Sequence, residues 1–291
     1  MQGTVSLFRP VKHTRLTRVV RGFAVVVILL VVSFFTVAAT EARRLKVEHI
    51  NLTSPNLPPE FDGKRLVFVA DIHAGPYLGE DRMNALVDRV NRLDADILVL
   101  GGDYVGGRSN GARVFYPAAK RFEARLAKVA VLGNHDAWEG ADRARDGLAD
   151  AGFTLLENEA ITVEQDGTRI YLAGLDDLYT GHPDITKAGT GIQHSDFAVL
   201  VSHNPDALSG QLPDAAPTWD LALAGHTHGG QVTFFGLVAP IMPSKHGNRY
   251  RTGWREEHGV PILVSNGVGT VTAPVRFFAQ PEIHVITLHR G

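Results

Sequence analysis

The distribution of apolar and polar positions divides the chain into one uninterrupted apolar run, a proline-rich stretch, and a long alternation of short apolar runs with amphipathic segments. The first run, GFAVVVILLVVSFFTVAA from Gly22 to Ala39, carries no charge. Its length is near the minimum that crosses about 30 Å of hydrocarbon at about 1.5 Å per residue, and it lacks the spacing of an amphipathic core helix. It predicts a transmembrane signal anchor over 22–40 behind a basic tail, 1–21. Arg9, Lys12, Arg15, Arg18 and Arg21 precede the run, whereas Arg43, Arg44 and Lys46 follow it. That asymmetry predicts a single pass through the inner (cytoplasmic) membrane with the remainder of the chain on the extracytoplasmic side. The small residues Val37, Ala38 and Ala39 leave cleavage of the anchor open. NLTSPNLPPEFDGKR, from Asn51 to Arg65, is rich in turn formers, and the pattern predicts a linker and lead-in over 41–62 and one domain over 63–291.

Within that domain, RLVFVADIHAG, ADILVLGGDYVGG and AKVAVLGNHDAWEG each hold a short apolar run ending in polar residues, the mark of a strand buried on both faces. Helical spacing follows each run, over Glu80–Leu93, Tyr116–Ala127 and Ala141–Ala151. The second half predicts a hairpin turning at Asp166 and Gly167, then strands in FAVLVSHNPD, DLALAGHTHGG and the closing PILVSNGVGTVTAPVRFFAQPEIHVITLHR. Together these elements predict an α/β fold of two packed β-sheets with helices outside and polar residues gathered at one rim.

Composition narrows the chemistry. With 44% hydrophobic residues among 291, the chain can bury a large core. A net charge of -2 gives no electrostatic footprint for nucleic acid, so no nucleic-acid partner is expected. The absence of cysteine excludes disulfides, a thiolate nucleophile and cysteine-ligated zinc. What needs explaining is 13 histidines, several of them beside glycine, aspartate or asparagine.

Asp71, His73, Asp103, Asn134, His203, His226 and His228 each end or closely follow a predicted strand, and a sheet can bring such ends to one edge. Carboxylates, imidazoles and a carboxamide oxygen suit a borderline divalent metal, with Mn, Fe or Zn favoured and Ni or Co compatible. Seven ligands exceed what one such ion takes and suit two; if Asp103 bridges, each ion receives four protein contacts. In an extended segment residues i and i+2 project to the same side, so the Asp71/His73 and His226/His228 pairs can each converge on a small volume. Glycines beside these residues permit close approach. The remaining histidines lack this context and are expected on surfaces and loops, and Trp138 is expected to pack or to wall a pocket.

In chain order, DIHAG, GGDYVGG, GNHD, VSHNPD and GHTHGG resemble the motifs D-x-H, G-D, G-N-H-[DE], H and G-H-x-H of the calcineurin-like metallophosphoesterase superfamily, over about Arg65 to Gln231. The resemblance implies a four-layer αββα sandwich of two mixed sheets, here with an N-terminal transmembrane helix. It implies Asp71, His73, Asp103 and His228 around one divalent ion, and Asp103, Asn134, His203 and His226 around the other. It also implies His135 at the leaving-group side as a general acid, not a ligand. Hydroxide bridging the two ions would attack phosphorus in line, and Asn134 would also neutralise charge on the phosphoryl oxygens. Phosphoprotein phosphatases continue the second motif as G-D-x-V-D-R-G, where the second aspartate orients the catalytic histidine. Gly106 stands at that position here, which argues against a phosphoprotein substrate and leaves the orientation of His135 to Asp136, another group or none.

The anchor together with HNPD, GHTHGGQ and PIMPSKHGNRYRTG is more similar to a bacterial membrane-associated branch that includes a UDP-2,3-diacylglucosamine pyrophosphatase of lipid A synthesis. This implies hydrolysis of a phosphodiester or pyrophosphate in a lipid- or nucleotide-linked substrate. Phe234 to Trp254, mixing Ile241, Met242 and Pro243 with Lys245, Arg249 and Arg251, is expected to form an apolar and basic lip for an amphiphilic phosphate. Two expectations conflict, because UDP-sugar lipids are cytosolic while the flanking charges place the domain outside, where an envelope phosphodiester fits better. The alternative of another class is a non-catalytic, membrane-anchored metal-binding scaffold of the same fold, and the complete ligand set with His135 counts against it. A Rossmann-like nucleotide binder would need G-x-G-x-x-G after the first strand, and that motif is absent.

Overall fold

The computed structural model describes residues 15–106, 110–212 and 219–291; Arg9 and Lys12, counted above, lie outside the described residues. Helix α1 (Arg15–Glu41) is long and apolar enough to cross a membrane, with a mean hydropathy of 2.7 over its most apolar window. Its side chains stand away from the domain until the last turns, where Ala38 is fully buried and Ala42 follows it into the surface of the domain.

The first sheet runs in the order β1 (Lys46–Ser54), β12 (Glu282–Arg290), β2 (Arg65–Val69), β3 (Ile97–Leu100), β4 (Ala127–Ala130) and β5 (Thr154–Leu155). The second runs β10 (Gly253–Glu257), β11 (Val260–Val264), β9 (Leu221–Ala224), β8 (Ala198–Ser202), β7 (Thr168–Gly174) and β6 (Glu159–Gln165). Both are mixed, since β12 runs antiparallel to β2, β10 to β11, and β6 to β7 while the other pairs are parallel. Alternation along each strand sorts its side chains between two cores. Leu66 and Phe68 of β2 face the second sheet and meet Val199, Leu221 and Leu223, whereas Val67 and Val69 face the helices. Each such side chain, fully buried, contributes roughly 1.5–3 kcal/mol.

Helices α2 (Glu80–Asn91), α3 (Gly111–Ala119) and α4 (Asn134–Asp150) cover the outer face of the first sheet. The outer face of the second is covered by the short α5 (Ile185–Ala188) and by turns carrying Leu208, Trp219 and Tyr250.

Three elements differ from the sequence expectation. The stretch expected as linker contains β1, which pairs in parallel with β12 from Lys46–Glu282 to Ser54–Arg290; its prolines all come after the strand. Helix α3 starts earlier than expected, because the stripe Val114, Phe115, Ala118 and Ala119 reaches the core before the chain turns at Lys120. Helix α4 opens at Asn134 rather than Ala141 and is kinked at Gly140, since the Asp136 carboxylate accepts the Gly133 N–H and caps the first turn.

The carboxyl ends of the parallel strands coincide. Val69, Leu100 and Ala130 are in register in the first sheet, and Gly174, Val201 and Leu223 in the second. Loops leaving these ends therefore meet at one rim.

Candidate metal centre

Pairing continues past the strand ends and fixes the loops. The main-chain N–H of Asp71 donates to Gly102 O at 2.9 Å, and that of His73 to Asp103 O at 3.0 Å. Asp71, His73, Asp103, His226 and His228 all have positive φ, between 47° and 69°. Asp and His tolerate this region better than most residues, but five at one rim show a backbone wound tightly round a point. Asp71 with His73 and His226 with His228 therefore converge by left-handed turns, and not by the extended alternation expected from their spacing.

All seven sequence-predicted ligands come together and are buried. His73 Nε2 lies 3.0 Å from His228 Nε2, and His203 Nε2 lies 3.2 Å from His226 Nδ1. Asp103 Oδ2 stands between the pairs, 3.5 Å from His73 Nε2 and 3.3 Å from His203 Nε2, while Asp71 Oδ1 is 3.6 Å from His228 Nε2. Asp71/His73/His228 and Asp103/His203/His226 each offer donor atoms within 4.8 Å of one another; His135 reaches His73 and Asp103 at the same range. Glycine is required at two neighbouring positions, since a Cβ on Gly133 would fall 2.2 Å from Asp103 Oδ1 and one on Gly225 would fall 2.4 Å from Asp71 Oδ2.

The electrostatics favour cations. Burial lowers the pKa of His73 to about 4 and that of His226 to about 3, and it holds His228 far below the ordinary value with help from His73 and Arg276. These imidazoles are neutral and keep a lone pair. Burial alone would lower His203 too, but the charges of Asp103 and Asp71 outweigh it and raise its pKa to about 10. Asp71 is pushed up to about 7, first by burial, whereas Asp103 is held well below the carboxylate range by His203 and His73 in spite of burial. Asn134 Oδ1 is buried without a hydrogen-bond partner among the described residues. An orphaned acceptor beside facing imidazole nitrogens and carboxylate oxygens fits divalent cations held by nitrogen and oxygen donors.

His135 is half-buried at the edge of this cluster, its ring packed between His73 (centroids 4.8 Å apart) and Trp138 (5.1 Å). Asp136 does not orient it. That carboxylate is buried and accepts four main-chain N–H groups, from Asp103 (2.7 Å), Gly133 (3.0 Å), Tyr104 (2.8 Å) and Val105 (3.3 Å). Burial and the charge of Asp103 push its pKa up to about 8, against the pull of the Gly133 and Tyr104 N–H groups. Gly106 lies against His73, where a Cβ would come within 2.9 Å of the histidine's own Cβ, so the carboxylate found here in phosphoprotein phosphatases has no room.

Sequence reasoning missed Arg276. It is fully buried, its guanidinium donates to the carbonyls of Gly269 (2.6 Å), Asn266 (2.7 Å) and Ala279 (2.9 Å), and Nη2 lies 3.3 Å from His228 Nδ1. Burial lowers its pKa to about 10, which leaves it charged at neutral pH. A lone arginine in TAPVRFF, far from the histidine motifs, was the only available signal. The expected basic lip is largely spoken for, because Arg249 pairs with Glu257 at 2.7 Å and Arg251 donates to the carbonyls of Gly229 and Gly236. The apolar part remains, and a cavity of about 650 Å³ opens from Asp103, Asn134 and His226 between Trp138, Tyr179, Val232, Ile241, Val271 and Val275.

The family profile described as calcineurin-like phosphoesterase matches residues 64–230, which include every residue of the metal cluster. The chain belongs to the calcineurin-like phosphoesterase family. It is accordingly a metal-dependent hydrolase of phosphoesters. This phosphoesterase is 30% identical over 254 residues to the metallophosphoesterase YkuE of Bacillus subtilis, covering 85% of the present chain and 87% of that protein. It is 29% identical over 255 residues to a metallophosphoesterase of Aquifex aeolicus, covering 84% and 92% of the two chains. A zebrafish (Danio rerio) transmembrane protein with metallophosphoesterase domain is 30% identical over 257 residues, 84% of this chain and 58% of the larger fish protein.

Proposed function

We propose that the phosphoesterase uses two divalent cations to hydrolyse a phosphodiester or pyrophosphate bond in an amphiphilic substrate, while anchored by α1 in the inner membrane with its domain on the extracytoplasmic side. The observation that carries this reading is Asp103 Oδ2, placed between His73 and His203 at 3.5 and 3.3 Å where it can serve both halves of the cluster. Asp71, His73, Asp103 and His228 would hold one cation, and Asp103, Asn134, His203 and His226 the other. The pair of cations, Mn, Fe or Zn by donor chemistry, would supply an activated water and neutralise charge on the phosphoryl group.

The chain's own groups do the rest. Asn134 opens α4, where the helix N-terminus adds a partial positive charge to the pull on phosphoryl oxygens. His135 faces the cavity beside Trp138 and is placed to donate a proton to the departing oxygen. Trp138, Ile241 and Val271 exclude water and fit an apolar substituent on the ester. UDP-2,3-diacylglucosamine belongs to this substrate class; an envelope phosphodiester agrees better with the charges flanking α1.

The test is hydrolysis of bis(p-nitrophenyl) phosphate by the full chain in detergent micelles, stripped of metal and then titrated with Mn, Zn, Fe(II), Ni and Mg. Turnover should return with about two equivalents of cation, and Asp103→Asn should lose it by at least about a hundredfold along with one or both ions. Two tightly bound cations without turnover of any ester would instead favour the non-catalytic scaffold.

A further inference from the structure

The cavity opens beside an exposed apolar surface. Phe235, Leu237 and Ile241 are exposed by 77%, 76% and 82%, with Phe234, Val238 and Phe278 exposed around them. This patch is continuous with the anchor. Phe34 of α1 packs on Phe277 with ring centroids 4.8 Å apart, Phe277 packs on Phe278 at 4.7 Å, and Phe278 meets Phe235 at 5.8 Å. Main-chain bonds fix the same junction: Arg276 N donates to Ala38 O, Thr233 N to Phe277 O, and Phe277 N to Gln231 O.

The helix serves as a ruler for depth. Glu41, Arg43 and Arg44 mark where α1 leaves hydrocarbon, since ionised side chains are costly inside it. Phe34 precedes Glu41 by two turns, so at about 1.5 Å per residue it sits about 10 Å inside that boundary. Phe277, packed on Phe34, is held at the same depth, and the 234–241 loop leaves from the bridge between Val232 and Phe277. On the water side of the boundary, Arg43 and Arg82 line a cleft of about 240 Å³ with Tyr77; the Arg82 guanidinium donates to the carbonyls of Tyr77 and Ala42 and keeps its charge unpaired with any carboxylate among the described residues, as does Arg43. Apolar side chains below and arginines above are the order in which an anionic leaflet presents its chains and headgroups.

We infer that the 234–241 loop and Phe278 are seated in the leaflet that α1 enters, so that the mouth of the cavity opens onto the lipid surface and takes phosphoesters whose acyl chains remain in the bilayer. The substrate part rests on the phosphoesterase reading; the seat does not. Ile241 belongs to both the patch and the cavity wall, which makes the route from lipid to the metal cluster continuous.

The chain has no cysteine, so single labels are clean. Leu237→Cys and, as control, Glu164→Cys near the β6–β7 turn at the opposite rim would each carry an environment-sensitive fluorophore. The full chain would be reconstituted in phosphatidylcholine/phosphatidylglycerol vesicles. The label at 237 should be blue-shifted, quenched by lipids with spin labels high on the acyl chain and shielded from iodide, with the control wet. Equal iodide access at the two sites would overturn the seat. Phe235→Ser/Leu237→Ser should retain turnover of soluble bis(p-nitrophenyl) phosphate but lose about tenfold on vesicle-embedded p-nitrophenyl hexadecyl phosphate, because surface seating is weakened while the cavity is intact. Equal effects on the two esters would overturn lipid access, and absence of turnover of both by the parent chain would overturn the phosphoesterase reading while the label still decides the seat.

Discussion

Asp136→Asn isolates the brace beneath the metal cluster. The carboxylate serves two N–H groups with each oxygen, Asp103 and Gly133 on Oδ2 and Tyr104 and Val105 on Oδ1. An asparagine keeps one oxygen whichever way it is turned, and its NH₂ then faces two buried donors. A buried donor left without an acceptor costs roughly 1–3 kcal/mol, so two cost about 2–6 kcal/mol. Above pH 8, where the carboxylate is ionised, removing its buried charge offsets part of this, leaving a loss of about 2 kcal/mol. For a domain of this size each kcal/mol moves Tm by about 2–4 °C, which puts the fall at about 4–8 °C at that pH. Calorimetry on the metal-free full chain in micelles measures it without the added stability of bound cations. The same variant frees the main chain of Asp103 from its positive φ of 54° and should lower cation occupancy in the folded protein. A Tm within about 2 °C of the parent, with full occupancy, would refute the account of Asp136 as a brace.

Two further outcomes follow from the site. His135→Ala should lower kcat by about 10²–10⁴ on an ester with a poor leaving group, and by much less on a p-nitrophenyl ester that needs no proton, with metal content by mass spectrometry unchanged; loss of metal would make His135 a ligand instead. Cation binding should expel protons: His203, raised to about 10 by Asp103 and Asp71, is protonated at pH 7.5 in the metal-free protein and must give up its Nε2 proton to ligate. Affinity should therefore weaken as pH falls, and the buffer dependence of the calorimetric heat should show about one proton released; no release between pH 7 and 8 would refute this charge assignment.

The convergence of the metal cluster was legible because each of its residues sits at or just past a strand end, four of them (Asp103, Asn134, His226 and His228) directly beside glycine, and strand ends of a parallel sheet converge whatever the details of the helices. Its local geometry was not legible. Spacing alone made Asp71 with His73 an extended pair, whereas their N–H groups are drawn to Gly102 and Asp103 and the chain coils to positive φ. The strand at 46–54 was hidden because its pairing partner lies more than two hundred residues away, at 282–290. Arg276 was hidden for a different reason: four of its six carbonyl and imidazole neighbours lie within ten residues of it, in irregular loop that carries no periodic pattern, and the other two belong to His228. The role offered to Asp136 failed on a competing demand, as four main-chain donors had already claimed it.

Arg276 also changes how the molecule should be handled. Its main-chain N–H is bonded to Ala38 of the N-terminal helix, and its guanidinium lies against His228 in the candidate metal centre. Cutting the chain before Leu45 to obtain a soluble protein would uncover Phe277, strip the Arg276 N–H of its acceptor and remove the Glu41 carboxylate that receives the Ala279 N–H. Such a fragment would report on an unmoored active site, and the difference between it and the whole chain would measure how far membrane attachment and catalytic competence are one property.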